Sequence, residues 1–229
     1  FVPWNYDWRG RCYPIPAYLT VQDTDFGKSL LTFADAAEVT PESKWWIEFQ
    51  VATTYGLDKA TIQERWEWAR NNHALITRIA TDPLGNLSEW EGVEEPWQFV
   101  SACDEMYHCI IKGDRTKTRL MIAIDATCSG LQILAGLARD KSTAQLVNVV
   151  PAETPQDAYK VVADKSKPNI PLVLHDVWDR KCTKRTCLTI PYNAKPYSNR
   201  TYIKDALKEK GVEITKEDLT QTVAAVRDA

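Results

Sequence analysis

The stretch RLMIAIDATCSG, residues 119–130, sets five apolar residues in a row, Leu120 to Ile124, before a carboxylate at Asp125 and a run of small residues. A short unbroken apolar run reads as a buried strand, so Arg119–Asp125 is expected to form one, with the acid at its C-terminal end. Ala126, Thr127, Cys128, Ser129 and Gly130 then permit a tight turn, in which backbone carbonyls approach the same point as the carboxylate. Oxygen donors so placed suit a hard cation such as Mg2+. An Asp here also serves as the cap of the following helix. Both roles are open on these residues alone.

Around this strand the apolar spacing is helical. Upstream, Thr40 followed by Pro41 marks a helix start, with Trp45, Trp46, Phe49 and Ala52 at helical intervals up to Gly56. Further helices are expected over Ala60–Ile79 and Trp97–Ile111, joined by an acidic, turn-rich loop over 82–95. Downstream, Ser129–Leu137, a segment from Glu153 to about Lys165, and Asp176–Ile190 read as helices. Thr215 and Asp218 resemble a capping box ahead of Leu219–Val226. Residues 1–21 read as extended or turning chain, and 24–34 as a short strand. The expected fold class is α+β, mostly helical with a small sheet.

The chain has 229 residues, 44% hydrophobic and 26% charged, which excludes collagen-like and disordered classes. No apolar run approaches the roughly 18–20 residues of a membrane helix, and no secretory signal opens the chain. It starts at Phe1 and stops in helical sequence at Ala229, as expected of a piece of a longer chain. Six cysteines form no CxxC pair and no zinc spacing with the three histidines. Reduced thiols in a cytoplasmic compartment are the expectation. A net charge of −3 confines any grip on nucleic acid to a local patch.

One such patch is RKCTKRTCLTIPY, residues 180–192. Arg180, Lys184 and Leu188 share a helix face, and cations stacked one turn apart repel unless a polyanion lies across them. From Arg180 to Lys204 there are seven Lys or Arg and no acid, with Tyr192, Tyr197 and Tyr202 interleaved. Cations and stacking rings together are the local footprint of a nucleic-acid channel, although a charge run is also commonly a solvated face. A second patch, DWRGRCY at 7–13, sets Arg9 and Arg11 around Gly10. Guanidinium forks beside a close-approaching backbone suit phosphates, and a structural Arg–Asp pair explains the motif equally well.

In their order along the chain, DWRGRCY, DATCSGLQ (125–132) and the Arg180–Tyr192 stretch resemble the single-subunit, phage-type DNA-directed RNA polymerases. KSLLT (28–32), GLDK (56–59), Asn72-His73 and VNVVPAETPQD (147–157) look like the same family. The resemblance implies an internal palm–fingers fragment: residues 1–165 a palm segment with the Asp125 strand, residues 166–229 the start of the fingers. It implies DNA-templated RNA synthesis with two Mg2+ ions, Asp125 and the Ala126 carbonyl being ligands. Arg180 and Lys184 would hold the incoming triphosphate, with Lys59 as a further contact. Tyr192 would help select ribose, and Arg9 and Arg11 would lie along the template and hybrid. DNA template, nascent RNA and ribonucleoside triphosphates are the implied partners, with no membrane, and a monomer when complete. A second catalytic aspartate falls outside this stretch, so the fragment alone is expected to be inactive.

Three departures are present, and the first two bear on Tyr192. Pro191 precedes it and should end or kink the helix, since the proline ring meets the carbonyl four residues back. Asn193 stands where glycine is usual, and Leu188 where methionine is common. Three rivals are an A-type DNA polymerase, which shares the Arg-x-x-x-Lys helix, a non-catalytic cytosolic interaction domain, and a metal hydrolase on His175-Asp176. That last pair precedes Arg180 and has no other histidine at ligand spacing, so it is assigned to structure.

Overall fold

Thr40 begins the first long helix as its sequence predicts. Its hydroxyl accepts the Ser43 N–H at 3.2 Å, and the Ser43 hydroxyl accepts the Thr40 N–H at 2.6 Å. Two otherwise orphaned donors are thereby satisfied, and Pro41 fills the first helical position, where no N–H is needed. The computed structural model describes residues 2–8, 10–124 and 126–229. Arg9 and Asp125 lie outside the described residues. Packing divides the chain into two units, Phe1–Ile124 and Asp125–Ala229, each described by itself.

The first unit opens with an antiparallel hairpin of β1 (Trp4–Tyr6) and β2 (Cys12–Pro14), Asn5 facing Tyr13. Its core lies among α2 (Pro41–Ala52), α3 (Ile62–Asn71), α4 (His73–Thr81) and α5 (Pro96–Met106). Ile47, Val51, Ile76, Ile79, Phe99 and Met106 are buried there together. Glu48 on α2 takes a two-pronged bond from Arg70 on α3, at 2.9 and 2.8 Å, a geometry that fixes orientation as well as charge.

Three sequence expectations change here. Residues 24–34 contain not a strand but a short helix, α1 (Asp25–Ser29), capped by Thr24. Asp25 then supplies what α5 lacks, for Glu95 gives that helix no side-chain cap. Its carboxylate accepts the N–H groups of Trp97 (2.8 Å) and Gln98 (3.2 Å). The helix expected over 60–79 is two helices, because the Asn72 amide turns back on the Trp68 carbonyl at 2.7 Å and its backbone leaves helical geometry at φ −110°, ψ 23°.

The described part of the strand expected over 119–125 is not a strand. The paired segment ends one step earlier, as β4 (Lys117–Thr118) against β3 (Ala37–Glu38). Beyond it the chain finds only isolated partners: the Arg119 carbonyl accepts from Phe33 N–H, and Ala123 N–H donates to the Gln50 side chain. A strand needs a neighbour to take its ladder, and none lies alongside 119–124 among the described residues. Ile124, read as buried, is 77% exposed.

The second unit comprises α6 (Ser129–Ala138), α7 (Lys141–Leu146), α8 (Ala158–Ser166), α9 (Arg180–Thr189), α10 (Pro196–Glu209) and α11 (Lys216–Asp228). One cluster joins α8 to α11 through Ala163, Cys182, Ile203, Leu207, Val223 and Val226. Another joins α6 to α9 through Ala135, Ala144, Ala158, Tyr159 and Cys187. α8 starts later than Glu153 because Asp157 caps it, and α9 later than Asp176 because Asp179 does. Pro191 ends α9 as expected. The helix stops at Thr189, a tight turn covers Ile190–Tyr192, and Asn193 takes the left-handed conformation at φ 65°, which asparagine tolerates better than most. α10, begun by Pro196 at a position needing no N–H, is not evident in the basic run.

Phe99→Ala should cost about 3–5 kcal/mol, as for other fully buried aromatics, since Phe99 is 0% exposed. Urea unfolding measures it, and a loss below about 1 kcal/mol would remove Phe99 from the centre of the core. Asp140 caps α7, and the Thr143 and then the Ser142 hydroxyls hold its carboxyl down to about 2 from an ordinary 3.8. Its contribution is therefore present above about 4 and disappears as pH falls through about 2. Carboxyl carbon NMR should show that depressed midpoint; titration at 3.8 would contradict the cap.

Candidate active site

The basic helix is organised by acids that the sequence places elsewhere. Arg180 opens α9, and its Nε donates to Asp157 Oδ2 at 2.5 Å. Its guanidinium also lies 5.5 Å from the centroid of the Tyr159 ring, within cation–π range. One turn on, Lys184 is exposed and has no carboxylate partner among the described residues. Arg185 stacks over Tyr202 at 4.7 Å and faces Asp205 at 3.7 Å. The acid-free window 180–204 ends one residue short of that aspartate. Charge repulsion along α9 is thus relieved at Arg180 and Arg185, while the side chains of Lys181 and Lys184 meet no carboxylate among the described residues.

The turn after position 125 belongs to the same unit. Thr127 is held from two directions: its carbonyl accepts the Tyr159 hydroxyl at 3.2 Å, and its hydroxyl accepts from the Asn148 amide at 3.3 Å. Burial, and next the Cys128 side chain beside it, push the Tyr159 hydroxyl above the usual phenol range, so it stays a donor. Asn148 sits in the left-handed region at φ 61° and pairs with the Gln156 backbone, giving 2.8 Å to its carbonyl and taking 2.7 Å from its N–H. These bonds lock the segment leading to Asp157.

Tyr192 reaches this turn as well. It is exposed, yet a Cβ at Gly130 would fall 2.7 Å from its hydroxyl oxygen and 3.1 Å from the adjoining ring carbon. The absence of a side chain at Gly130 is what lets the ring lie there. α9 and the 126–130 turn are therefore brought together through Tyr159 on one side and Tyr192 on the other.

Of the remaining expected site residues, Lys59 and Arg11 lie in the first unit and Ala126 in the second. Lys59 follows a turn in which Gly56 takes φ 126°, and it pairs with the neighbouring Asp58 carboxylate. Arg11 closes the β1–β2 loop: its N–H donates to Asp7 Oδ1 at 2.9 Å and its carbonyl accepts the Asp7 N–H at 2.9 Å. Gly10 in that loop has φ 77°, a conformation that favours glycine. Ala126 is exposed. His175 Nε2 donates one bond to the Ile170 carbonyl at 3.3 Å, in line with a structural role. Among the described residues no group of three His, Cys, Asp or Glu side chains could hold a metal.

Sequence reading assigned no role to Asp157, Tyr159 or Asn148, although Asn148 and Asp157 fall in the 147–157 stretch. The signal for Asp157 was present, an Asp directly before a helical run. Tyr159 and Asn148 carry none, since their partners are 32 and 21 residues away. Gly130→Ala should keep α6, alanine being the better helix former, and displace the Tyr192 ring. Ring-carbon NMR of labelled tyrosine should show one shifted resonance with little loss of stability; an unmoved Tyr192 signal would deny the contact.

A family model described as DNA-dependent RNA polymerase matches residues 37–227. The mitochondrial DNA-directed RNA polymerase of Neurospora crassa is 34% identical over 229 aligned residues, 95% of this chain and 16% of that protein. T7 RNA polymerase of Escherichia phage T7 is 34% identical over 163 residues, 71% of this chain and 18% of that protein. The mitochondrial DNA-directed RNA polymerase 1B of Nicotiana tabacum is 31% identical over 93% of this chain and 23% of its own length. The chain thus spans between a sixth and a quarter of the length of these relatives. With most of its length matched by the family model, the chain belongs to the DNA-dependent RNA polymerase family.

Proposed function

We propose that this chain forms the palm segment (residues 1–165) and the start of the fingers (166–229) of a polymerase that copies a DNA template into RNA from ribonucleoside triphosphates. The observation that carries the reading is the arrangement on and beside α9. Lys184 stands one turn from Arg180 without a carboxylate partner among the described residues, and the turn beyond the helix brings Tyr192 onto Gly130, five residues from Asp125. A triphosphate supplies the polyanion that such cations require, and its transfer asks mainly for positioning and charge stabilisation. Lys59 would add a triphosphate contact. Arg9 and Arg11 would lie along the template and RNA–DNA hybrid. Tyr192 would sit at the insertion site and help distinguish ribose. The A-type DNA polymerase alternative gains nothing from the comparisons, whose relatives are named RNA polymerases.

Membership of this family implies a divalent cation. Two Mg2+ ions are the proposed form, and when bound they would clamp the attacking and leaving oxygens. This chain would offer them the Asp125 carboxylate and the Ala126 carbonyl. One carboxylate is too few for two ions, so the segment alone is expected to be inactive. The interaction-domain alternative would leave RNA synthesis indifferent to Asp125. No helix among the described residues is long and apolar enough to cross a membrane. All six cysteines are free thiols, five of them buried, which supports action in a reducing compartment such as a cytoplasm. A monomer is the proposed state of the complete protein.

Lys184→Ala in the full polymerase chain should raise the KM for ribonucleoside triphosphates by about tenfold or more, the scale of one charge-assisted contact. Template binding should hold within about twofold. Initial-rate kinetics beside a DNA-binding titration make the comparison, and equal losses in the two would count against the assigned role.

A further inference from the structure

Asp157 serves two helices with one carboxylate. Its Oδ1 accepts the N–H groups of Tyr159 (3.0 Å) and Lys160 (3.2 Å) at the head of α8, while its Oδ2 accepts Arg180 Nε from α9. The guanidinium that it holds lies against the Tyr159 ring. That ring is fixed at both ends, for the Tyr159 carbonyl accepts the buried Thr183 hydroxyl at 2.8 Å and its own hydroxyl donates to Thr127. Arginine is a long chain with much rotamer freedom to lose, and its fork presents donors on more than one edge. Binding through Nε leaves the terminal nitrogens, the edge that meets a phosphate with two parallel bonds. An acid at Nε is then compatible with an anion at the terminal nitrogens.

We propose that Asp157, braced by Tyr159, is a positioning residue for nucleotide binding: it holds Arg180 by its Nε and presents the terminal nitrogens to the incoming triphosphate. The inference rests on the reading of Arg180 given above and adds the group that aims it. The bland alternative is a helix cap with a half-exposed ion pair of little worth. A further alternative is a carboxylate that competes with phosphate for the guanidinium. The three differ in what removal of the carboxylate does.

The test uses the full polymerase chain carrying this segment, with Mg2+, saturating template and varied nucleotide. Asp157→Ser keeps a good helix cap, but its side chain is too short to serve α8 and Arg180 together. It should raise the KM for nucleotide about tenfold with kcat within about twofold, and add nothing in an Arg180→Ala background, as expected of two residues acting through one group. Asp157→Asn keeps the cap through its one carbonyl oxygen but sets an amide NH2, a donor, where Oδ2 accepted from Nε, so its KM should rise as far as that of Asp157→Ser, and a parental KM would overturn the proposal. An unchanged KM, a fall in KM, or a further rise in the Arg180→Ala background would overturn the proposal. If Asp157→Ser loses helical circular dichroism, Arg180→Lys decides: lysine has no second edge, so its KM should match that of Arg180→Ala, and parental KM would refute the positioning role. Should Arg180→Ala itself leave KM unchanged, the reading of Arg180 fails with it; should Arg180→Ala raise KM while Asp157→Ser does not, only the positioning role fails.

Discussion

Every helix begins with backbone N–H groups that have no partner within the helix, and in a protein this helical that requirement shapes most of the architecture. Thr40, Thr61, Asp140, Asp157, Asp179 and Thr215 each meet it with a side chain from the residue just before the helix. α5 meets it from a distance, through Asp25. The acids doing this work are then available for a second bond. Asp157 turns its free oxygen to Arg180, and Asp179 turns its own to Lys210 at the end of α10, at 2.7 Å. Capping therefore also ties α8 to α9 and α9 to α10.

The candidate site inherits its form from these ties. A basic helix alone would spread its cations by repulsion. Here Arg180 and Arg185 are each met by an acid from a neighbouring helix, and the side chains of Lys181 and Lys184 between them meet none among the described residues. The turn following position 125 is held by Tyr159 and Asn148, and overlaid by Tyr192. Parts of a family motif that are far apart in sequence thus share one compact unit, and the residues joining them are ordinary capping and packing residues.

Much of this was legible in advance. The helix starts at Thr40 and Thr215 and the end of α9 before Pro191 follow from local chemistry that the first turn of a helix or a proline ring imposes. The break at Asn72 was not legible, because the pattern of apolar residues runs on through it and only the amide's return to Trp68 interrupts the backbone. The segment 119–124 misled for the opposite reason: its composition is that of a strand, but a strand is a relation between two segments. Without a neighbour its backbone turns to Phe33 and Gln50 for single bonds, and Ile124 faces solvent.

The amino-acid sequence by itself determined the helical class, the helix starts at Thr40 and Thr215, the order of the motifs and hence the polymerase family, since each depends on residues within a few positions of one another. Only the tertiary structure decided which acid meets which cation, why Gly130 has no side chain, and where the 119–124 segment finds its hydrogen bonds. Those partners are separated by 20 to 86 residues, and at such distances it is packing, not local propensity, that chooses them.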